Sequence, residues 1–437
     1  MNARSLKSTT VPWIVVGAAA LMAVSATWVY EQIRDVYPVD WAVYRYGSAA
    51  AWRGVDLYAG NLHGPNIADE GLPFTYTPFG ALVLWPTNLG SHQVGFWAWS
   101  ITSMLALLAV IAMVVPTQAR HRWIVVFGVA SVACATIMVY AHFFFGQINI
   151  FLMLLVIADL TRRDDTNFGR RVPRGVLIGL AAAIKLTPGL FIVYLAIARQ
   201  WRMFWWSVAG CLGAFALAFL VRPALTIAFV THGMWQLTDK VALGTKFATS
   251  GNNSIQGLLA AVGDWTRPLA LILTAIAAVV GVLLSRRAAT HSGLLAGGLV
   301  IAMTATLISP ISWVHHWVYL VPAAVFIWFH RGWWAQAVVI VGTLVTIFAT
   351  PEVGQDWLVQ PSVLEACIGW LLREMLMLLG VIAIGIIAYG NEKPSRALSD
   401  KVGTAEQEPV GAHPLSWSAA RPRIPTGRGN GFKTRTV

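Results

Sequence analysis

Charged residues are scarce in this 437-residue sequence: Asp, Glu, Lys and Arg together make up 11% of it, against 57% hydrophobic residues. Soluble domains carry about a quarter charged residues. With a mean hydropathy of +0.64, the composition excludes a disordered chain and an ordinary soluble enzyme. It predicts an all-α, multi-pass membrane protein. Because one span needs about 20 apolar residues, the chain has room for about 10–12 transmembrane helices.

Cysteine and nucleotide-binding motifs are also scarce. The three cysteines, Cys134, Cys211 and Cys367, lie in apolar runs, so we expect small core residues without a disulfide or metal pattern. The sequence has no P-loop, no Gly-x-Gly-x-x-Gly after a strand and no Asp-x-Asp, and no soluble segment is large enough to hold a nucleotide. An enzyme of this kind would need a substrate that the membrane delivers.

The apolar runs predict the spans. Val11–Trp28 follows Arg4 and Lys7 and is interpreted as an uncleaved signal anchor. Gly175–Ala198 begins and ends in basic segments and is interrupted at its centre, which predicts two short helices with a break at a re-entrant tip. The remaining runs are Val94–Val115, Trp123–Tyr140, Ile148–Leu160, Phe204–Val221, Leu269–Leu284, Leu294–Ile308, Trp317–Phe329, Trp334–Thr350 and Met375–Tyr389.

Basic residues fall at alternate ends of these spans, and the positive-inside rule makes that side the cytoplasm, with both termini on it. Residues 1–10 are then a cytoplasmic N-terminus, 11–390 a transmembrane domain and 391–437 a basic cytoplasmic tail. We expect the tail to be disordered and to lie against anionic lipid rather than nucleic acid. The basic groups are Arg120/Arg122, Arg162/Arg163, Arg170/Arg171/Arg174, Arg199/Arg202, Arg286/Arg287 and Arg331.

The polar clusters of the apolar region all fall at the other, outer ends of the spans. Polar groups at membrane depth are costly and usually line a cavity. Clusters from distant stretches on one face therefore predict one cavity, open to the outside, with an active or binding site in it. The clusters are Glu31/Asp35/Asp40/Asp56, Phe74–Phe79, Phe145–Asn149, Lys185–Pro188, Ser250–Ser254 and Ser309–His316.

Each cluster also has a structural interpretation. Asp40 could cap a helix that runs to about Trp52 and ends at Gly54, and Lys185 could extend from a helix end towards the interface. The amides Gln147, Asn149, Asn252 and Asn253 could join helices by hydrogen bonds.

The adjacent histidines His315 and His316 do not predict a metal site. Neighbouring residues on a helix point about 100° apart, so they rarely bind one ion together. No metal and no cofactor is expected. Trp41 and Trp313 lie beside the outer motifs and could stack on sugar rings.

In this order, the clusters resemble those of the actinobacterial polyprenol-phosphate-mannose-dependent α-(1→2)-mannosyltransferases of glycosyltransferase family 87, in the GT-C superfamily. The resemblance covers about residues 11–390. It rests on Asp40 after the first span, Phe74–Phe79, Gly146–Asn149, Lys185–Pro188, Asn252–Ser254 and Ser309–His316.

The resemblance implies a GT-C-type helix bundle with outer-face loops and an active site on the periplasmic side. The donor would be polyprenyl-phosphate mannose, without a nucleotide sugar or metal. Transfer would be inverting and would form α-1,2 linkages. The acceptor would be a phosphatidylinositol mannoside or branches of lipomannan and lipoarabinomannan. In this family the catalytic base is an acid shortly after the first span; Asp40 fits by position, with Asp35 and Asp56 as alternatives.

The chemistry of such a transfer assigns the other residues. Lys185, His315 and His316 are expected to meet the charge that develops on the leaving phosphate. Five polar side chains are expected to bind sugar hydroxyls or to orient the groups that contact the substrate: Tyr76, Gln147, Asn149, Asn252 and Asn253.

Two other functions fit a membrane protein of this kind. One is a lipid-linked sugar transporter or flippase. Such proteins often consist of two related halves, but the Lys-Leu-Thr-Pro break at residues 185–188 has no counterpart in the second half of the sequence. The other is a different GT-C transfer, such as arabinofuranosyl transfer.

Overall fold

The computed structural model describes residues 38–65, 67, 69–241 and 247–390, together with Met22 and Glu31. The rest of the predicted first span, Asp35, the N-terminus 1–10 and the tail lie outside the described residues. The described part is 76% helical with almost no sheet and contains several apolar helices, which confirms an all-α, multi-pass membrane protein. It also holds one short antiparallel sheet, β1 (Asn61–Leu62) with β2 (Leu72–Pro73).

Twenty α-helices are described. They are α1 (Val39–Trp52), α2 (Pro78–Val83), α3 (His92–Val114), α4 (Arg122–Ala135), α5 (Ile137–Phe145), α6 (Asn149–Thr161), α7 (Asn167–Arg171), α8 (Val176–Ile184), α9 (Gly189–Ile197), α10 (Trp201–Val221), α11 (Pro223–Thr231), α12 (Leu237–Val241), α13 (Ile255–Val262), α14 (Arg267–Ser292), α15 (Leu294–Ile308), α16 (Leu320–His330), α17 (Trp333–Phe348), α18 (Pro351–Leu358), α19 (Val363–Arg373) and α20 (Met375–Tyr389). Short 3-10 helices lie at Trp85–Asn88, Gly233–Gln236, Asp264–Thr266 and Val314–Tyr319.

Within the described ranges, three helical stretches are long and apolar enough to cross a membrane alone: α3, α10 and Asp264–Ser292, which contains α14. Bent pairs raise the number to six if each is one span: α4 with α5 at 74°, α17 with α18 at 75° and α19 with α20 at 64°. The run Trp123–Tyr140, expected as one helix, is therefore broken at Thr136. The total of about 10–12 spans stays a prediction.

Two helices extend from the predicted site to the opposite end of the helices, where Arg122 and Arg162 lie; this is called the arginine-rich end below. These are α6, with 13 residues, and α15, with 15. At 1.5 Å per residue they are about 20 and 22 Å long. Twelve of the 15 residues of α15 are buried. Gly281 of α14 lies directly against Thr304 of α15, and such small residues let neighbouring membrane helices approach closely.

The segment Gly175–Ala198 forms two helices, α8 and α9, with the predicted break at residues 185–188. The start of α8 is held by Asp159 near the end of α6. This fully buried carboxylate accepts hydrogen bonds from the backbone N–H groups of Gly175 and Ile178, at 2.9 and 3.0 Å. It also forms an ion pair with Arg162, N···O 2.6 Å. A side chain of one helix therefore satisfies the free amides that begin another.

The cysteine expectation was partly wrong. Cys134 is buried and Cys211 half-buried, but Cys367 is exposed. Its helix, α19, is amphipathic, with Glu365 and Arg373 among its apolar residues, and the local apolar run did not reveal which side faces outwards.

We predict that Asp159→Ala lowers the free energy of unfolding by about 3 kcal/mol, because it leaves the Arg162 charge and two amides without their buried partner. Denaturant titration of the purified protein in detergent measures the change. Asp165→Ala is the control: its ion pair with Arg163 is solvent-exposed on both sides, so its loss should change little. Equal stability of the two variants would contradict the assigned role of Asp159.

Candidate active site

Asp40 lies in the first turn of α1, a helix that follows Pro38 and ends before Gly54, whose φ of +82° favours glycine. The interpretation of Asp40 as the helix N-cap was wrong: Pro38 holds that position, and no side chain caps the helix. Instead, Asp40 Oδ2 accepts a hydrogen bond of 2.5 Å from Gln147 Nε2.

Gln147 reaches Asp40 because the chain reverses at Gly146. Gly146 ends α5 in the left-handed conformation, φ +68°, and a Cβ there would lie 2.6 Å from Cβ of Trp41. Both the conformation and the contact require glycine. On its other side, Gln147 Oε1 accepts a hydrogen bond from the Tyr44 hydroxyl at 3.2 Å.

Tyr76 joins the same network from the loop before α2. Its hydroxyl lies 2.8 Å from that of Tyr44, with both rings buried. The Lys185 ammonium lies 5.4 Å from the centre of the Tyr76 ring, in cation–π geometry. The loop is fixed to the end of α8, because the hydroxyl of Thr77 donates to the carbonyl of Ala183.

Asn149, the first residue of α6, connects the remaining groups. Its Nδ2 donates to the carbonyl of His315 at 3.1 Å, and its Oδ1 accepts from Lys185 Nζ at 3.1 Å. Its Nδ2 also lies 3.4 Å from Gln147 Oε1. The structure thus brings together Asp40, Tyr76, Gln147, Asn149, Lys185 and His315, which come from five separate stretches of the chain.

The surroundings of Asp40 change its ionisation. Burial destabilises the carboxylate and raises the pKa of Asp40 from 3.8 to about 6. The hydrogen bond from Gln147 and the positive charge of Lys185 act in the opposite direction. A pKa near 6 leaves the carboxylate ionised at neutral pH and more basic than an exposed one.

The histidines lie in the 3-10 helix Val314–Tyr319, with ring centres 4.9 Å apart and perpendicular planes. His316 lines a small cavity of about 60 Å³ together with Lys185, Asn149, Ser312 and Tyr319. His315 is buried, and neither of its ring nitrogens has a hydrogen-bond partner among the described residues.

Sequence analysis missed His142. It lies on α5, is 1% exposed, and both of its ring nitrogens lack a partner in the described part of the chain. Its carbonyl accepts a hydrogen bond from the Gln147 backbone N–H at 2.9 Å, so His142 lies just before the turn that presents Gln147. A histidine within the apolar segment Ile137–Phe145 was the available signal, since ionisable residues at membrane depth usually have a function.

Asn252 and Asn253 support residues 309–313, the loop that leads into the 3-10 helix with the two histidines and is called the histidine loop below. Asn252 is fully buried; its Nδ2 donates to the carbonyls of Phe247 and Pro310, and its Oδ1 accepts from the Ser312 backbone N–H. Every polar group of its side chain therefore bonds to backbone. Asn253 donates from its own backbone to Ser312 at 2.8 Å, while its side-chain Oδ1 has no partner in the described residues.

Several sequence candidates lie apart from the network. Trp41 is 1% exposed and packs against His92 and Phe96, so the expectation that it stacks on sugar was wrong. Asp56 is exposed, accepts from the Tyr58 backbone N–H and lies 3.8 Å from His232. Trp313 is partly buried beside Gly251. Over the described ranges, no three His, Cys, Asp or Glu side chains are grouped to hold a metal ion.

Comparison with known proteins gives one family and several relatives. The model of glycosyltransferase family 87 matches residues 74–310, more than half of the chain. This stretch contains Tyr76, Gln147, Asn149, Lys185, Asn252 and Asn253, whereas Asp40 and the two adjacent histidines lie outside it.

The relatives are mycobacterial mannosyltransferases. A polyprenol-phosphate-mannose-dependent α-(1-2)-phosphatidylinositol pentamannoside mannosyltransferase of Mycolicibacterium smegmatis is 29% identical over 368 residues, covering 79% of this chain and 87% of that protein. A polyprenol-phosphate-mannose-dependent α-(1-2)-phosphatidylinositol mannoside mannosyltransferase of Mycobacterium tuberculosis is 28% identical over 310 residues, covering 67% and 70%. Another of that name from M. smegmatis is 29% identical over 370 residues, covering 78% and 81%.

The turn that presents Gln147 can be tested without an activity assay. We predict that Gly146→Ala lowers the free energy of unfolding by about 2 kcal/mol, because alanine is strained at positive φ and its Cβ overlaps Trp41. Thermal or denaturant unfolding in detergent measures it. Gly128→Ala on α4 is the matched control, since a Cβ there meets nothing within 4 Å; a similar loss in that variant would contradict the explanation.

Proposed function

Since this chain belongs to glycosyltransferase family 87, we propose that it transfers mannose from polyprenyl-phosphate mannose to a phosphatidylinositol mannoside and forms an α-1,2 linkage. The names of the relatives support both the donor and the acceptor. For this reason we prefer a phosphatidylinositol mannoside to lipomannan or lipoarabinomannan as the acceptor.

One observation supports the assignment of the site most directly: the hydrogen-bonded series that runs from Asp40 through Gln147 and Asn149 to Lys185. It places a half-buried carboxylate and a half-buried ammonium group in one network. An inverting glycosyl transfer needs such a pair, a base for the acceptor hydroxyl and a cation for the leaving phosphate.

Asp40 is the proposed base. Its carboxylate removes the proton of the acceptor hydroxyl while that oxygen attacks the anomeric carbon opposite the leaving phosphate. One carboxylate is sufficient, because the transition state has oxocarbenium character and the hydroxyl loses its proton late. Of the described acids proposed for this role, Asp40 belongs to the network and Asp56 does not.

Lys185, with His316 in the same cavity wall, is proposed to bind the leaving phosphate. The buried rings of His142 and His315 offer further donors, since buried polar nitrogens without partners are costly unless a ligand or water satisfies them. Tyr76 and Asn253 keep the proposed contacts with sugar hydroxyls. Gln147 and Asn149 orient the charged groups, and Asn252 holds the loop that carries the histidines.

The site is proposed to face the periplasm, with both termini in the cytoplasm. This proposal is supported by α6, which separates the polar network from the basic residues: Asn149 begins the helix in the site, and Arg162 follows its end. The basic residues that the positive-inside rule places in the cytoplasm therefore lie about 20 Å from the network.

We expect Asp40→Asn to lower kcat about 10³-fold, because loss of a general base typically costs 10²–10⁴ in rate. Transfer of labelled mannose from polyprenyl-phosphate mannose to phosphatidylinositol mannosides, with purified protein, measures it. Asp56→Asn removes a neighbouring carboxylate outside the network and should remain near wild type. Full activity of Asp40→Asn would exclude the base assignment.

The pH profile tests the same group independently. Because Asp40 must be ionised to accept a proton and its pKa is about 6, kcat/KM should fall as the pH drops below about 6. Gln147→Met removes a hydrogen bond that lowers this pKa, so the acid limb should move to higher pH. An unchanged limb in Gln147→Met would show that this hydrogen bond does not control the titrating group.

A further inference from the structure

A second cavity, of about 630 Å³, lies at the arginine-rich end of the described helices. It is bordered by the ends of α3 and α6, the end of α16 and the starts of α4 and α15. Since α6 and α15 extend from the active site to this cavity, the two regions are about 20 Å apart. The cavity is therefore separate from the proposed catalytic groups.

Arg122 gives this cavity its charge. Its Nη2 donates to the carbonyl of Ala112 at 2.5 Å, and its Nε to that of Val115 at 3.5 Å, which fixes the guanidinium against the end of α3. Nη1 has no hydrogen-bond partner among the described residues, and no described carboxylate forms an ion pair with Arg122. The guanidinium also lies 5.1 Å from the centre of the Trp123 ring, so two carbonyls and an aromatic ring hold the side chain in place, and none of the described carboxylates pairs with its charge.

The rest of the lining reinforces a preference for anions. Three lining residues are basic, Arg122, Arg162 and His330, and none is acidic. The charge of Arg162 is already paired with Asp159, so Arg122 is the main contributor. The helices α4 and α15 start here and their first amides carry partial positive charge, but the last carbonyls of α3, α6 and α16 carry partial negative charge, so the preference for an anion rests on Arg122.

The apolar part of the lining that is open to a ligand includes Met113, which is 41% exposed, and the half-buried Leu295, whereas Val114, Val115, Leu160 and Phe326 are nearly fully buried. A soluble anion would leave this surface uncovered, whereas the glycerol and upper acyl carbons of a lipid would cover it. The volume is in the range of small-molecule sites, and basic pockets between membrane helices are suited to lipid head groups.

We propose that this cavity binds the phosphate-bearing head group of an anionic phospholipid from the leaflet on this side of the membrane. The phosphate lies against Arg122 Nη1 and the start of α15, and the glycerol and acyl chains follow the apolar wall towards the bilayer. The site does not depend on the proposed transferase activity, and its occupation would stabilise the junction between α3, α6 and α15.

The test compares phosphatidylglycerol with phosphatidylcholine at equal mole fraction, added to the full-length protein in neutral detergent. Native mass spectrometry gives the apparent affinity and thermal unfolding gives the stabilisation. We expect phosphatidylglycerol to bind and to raise the Tm of the wild type more than phosphatidylcholine does. Arg122→Gln should weaken phosphatidylglycerol binding about tenfold, the typical effect of losing one charge-assisted hydrogen bond.

Arg286→Gln is the matched control. Arg286 is exposed on α14 near the same end and is not part of the lining, so the variant makes the same change of net charge and should bind like the wild type. Equal loss in Arg122→Gln and Arg286→Gln would mean a general charge effect and would overturn the proposal.

Because Arg122 also holds the end of α3, a second variant covers the case in which Arg122→Gln does not fold. Thr117 is an exposed loop residue in the lining, and Thr117→Trp should fill the cavity while Arg122 remains. It should also lose preferential binding of phosphatidylglycerol. Full binding in Thr117→Trp, or equal stabilisation by phosphatidylcholine or by inorganic phosphate alone, would overturn a lipid site at this position.

Discussion

The hydrogen bond from Gln147 to Asp40 joins residues that are 107 positions apart, and the other polar contacts of the site depend on it. A carboxylate with little access to water needs a donor, and an amide that donates can accept at its other end. Gln147 therefore holds Asp40 with one atom and receives Tyr44 with the other. Asn149, two residues later, acts in the same way: its amide oxygen accepts from Lys185, and its amide nitrogen donates to the carbonyl of His315. Two amides thus fix a base and a cation in one network without neutralising either by a direct ion pair.

This network needs helices that do not move relative to one another. At the site, α6 and the end of α8 are joined by the hydrogen bond between Asn149 and Lys185. At the far end of α6, Asp159 binds the first amides of α8. Two helices held at both ends position the Lys185 ammonium against Asn149, and the bond from Gln147 connects Asp40 of α1 to the start of the same α6. Such preorganised charges are effective in catalysis, because they need no rearrangement when charge develops in the substrate.

Much of the architecture could be predicted from local sequence. The apolar runs predicted most helices, and the Lys-Leu-Thr-Pro interruption predicted the break between α8 and α9, because proline and low apolarity act locally.

Tertiary contacts explain the predictions that failed. The helix ends at Thr136 although the apolar run continues to Tyr140, and Asp40 binds Gln147 instead of capping its own helix. Asn252 resembles a sugar ligand in sequence, but its amide bonds only to backbone. His142 lies in a run whose other residues are mostly apolar, and only its burial without a partner, just before the turn to Gln147, gives it significance.

The polar groups of this protein lie at helix ends because the middle of a membrane helix cannot satisfy them. On α6 and α15 this constraint creates two separate polar regions, each with groups that the protein leaves unsatisfied. In the site these groups are the buried ring nitrogens of His142 and His315; at the other end the group is Nη1 of the half-buried Arg122, whose Nη2 and Nε bond to carbonyls. Both regions contain a cation that forms no direct ion pair among the described residues, together with apolar side chains, and this combination suits a phosphate attached to a hydrocarbon chain. The same physical chemistry would therefore serve a polyprenyl phosphate at one end and a phospholipid at the other, and Asp40, the proposed base, lies at the first of these two ends.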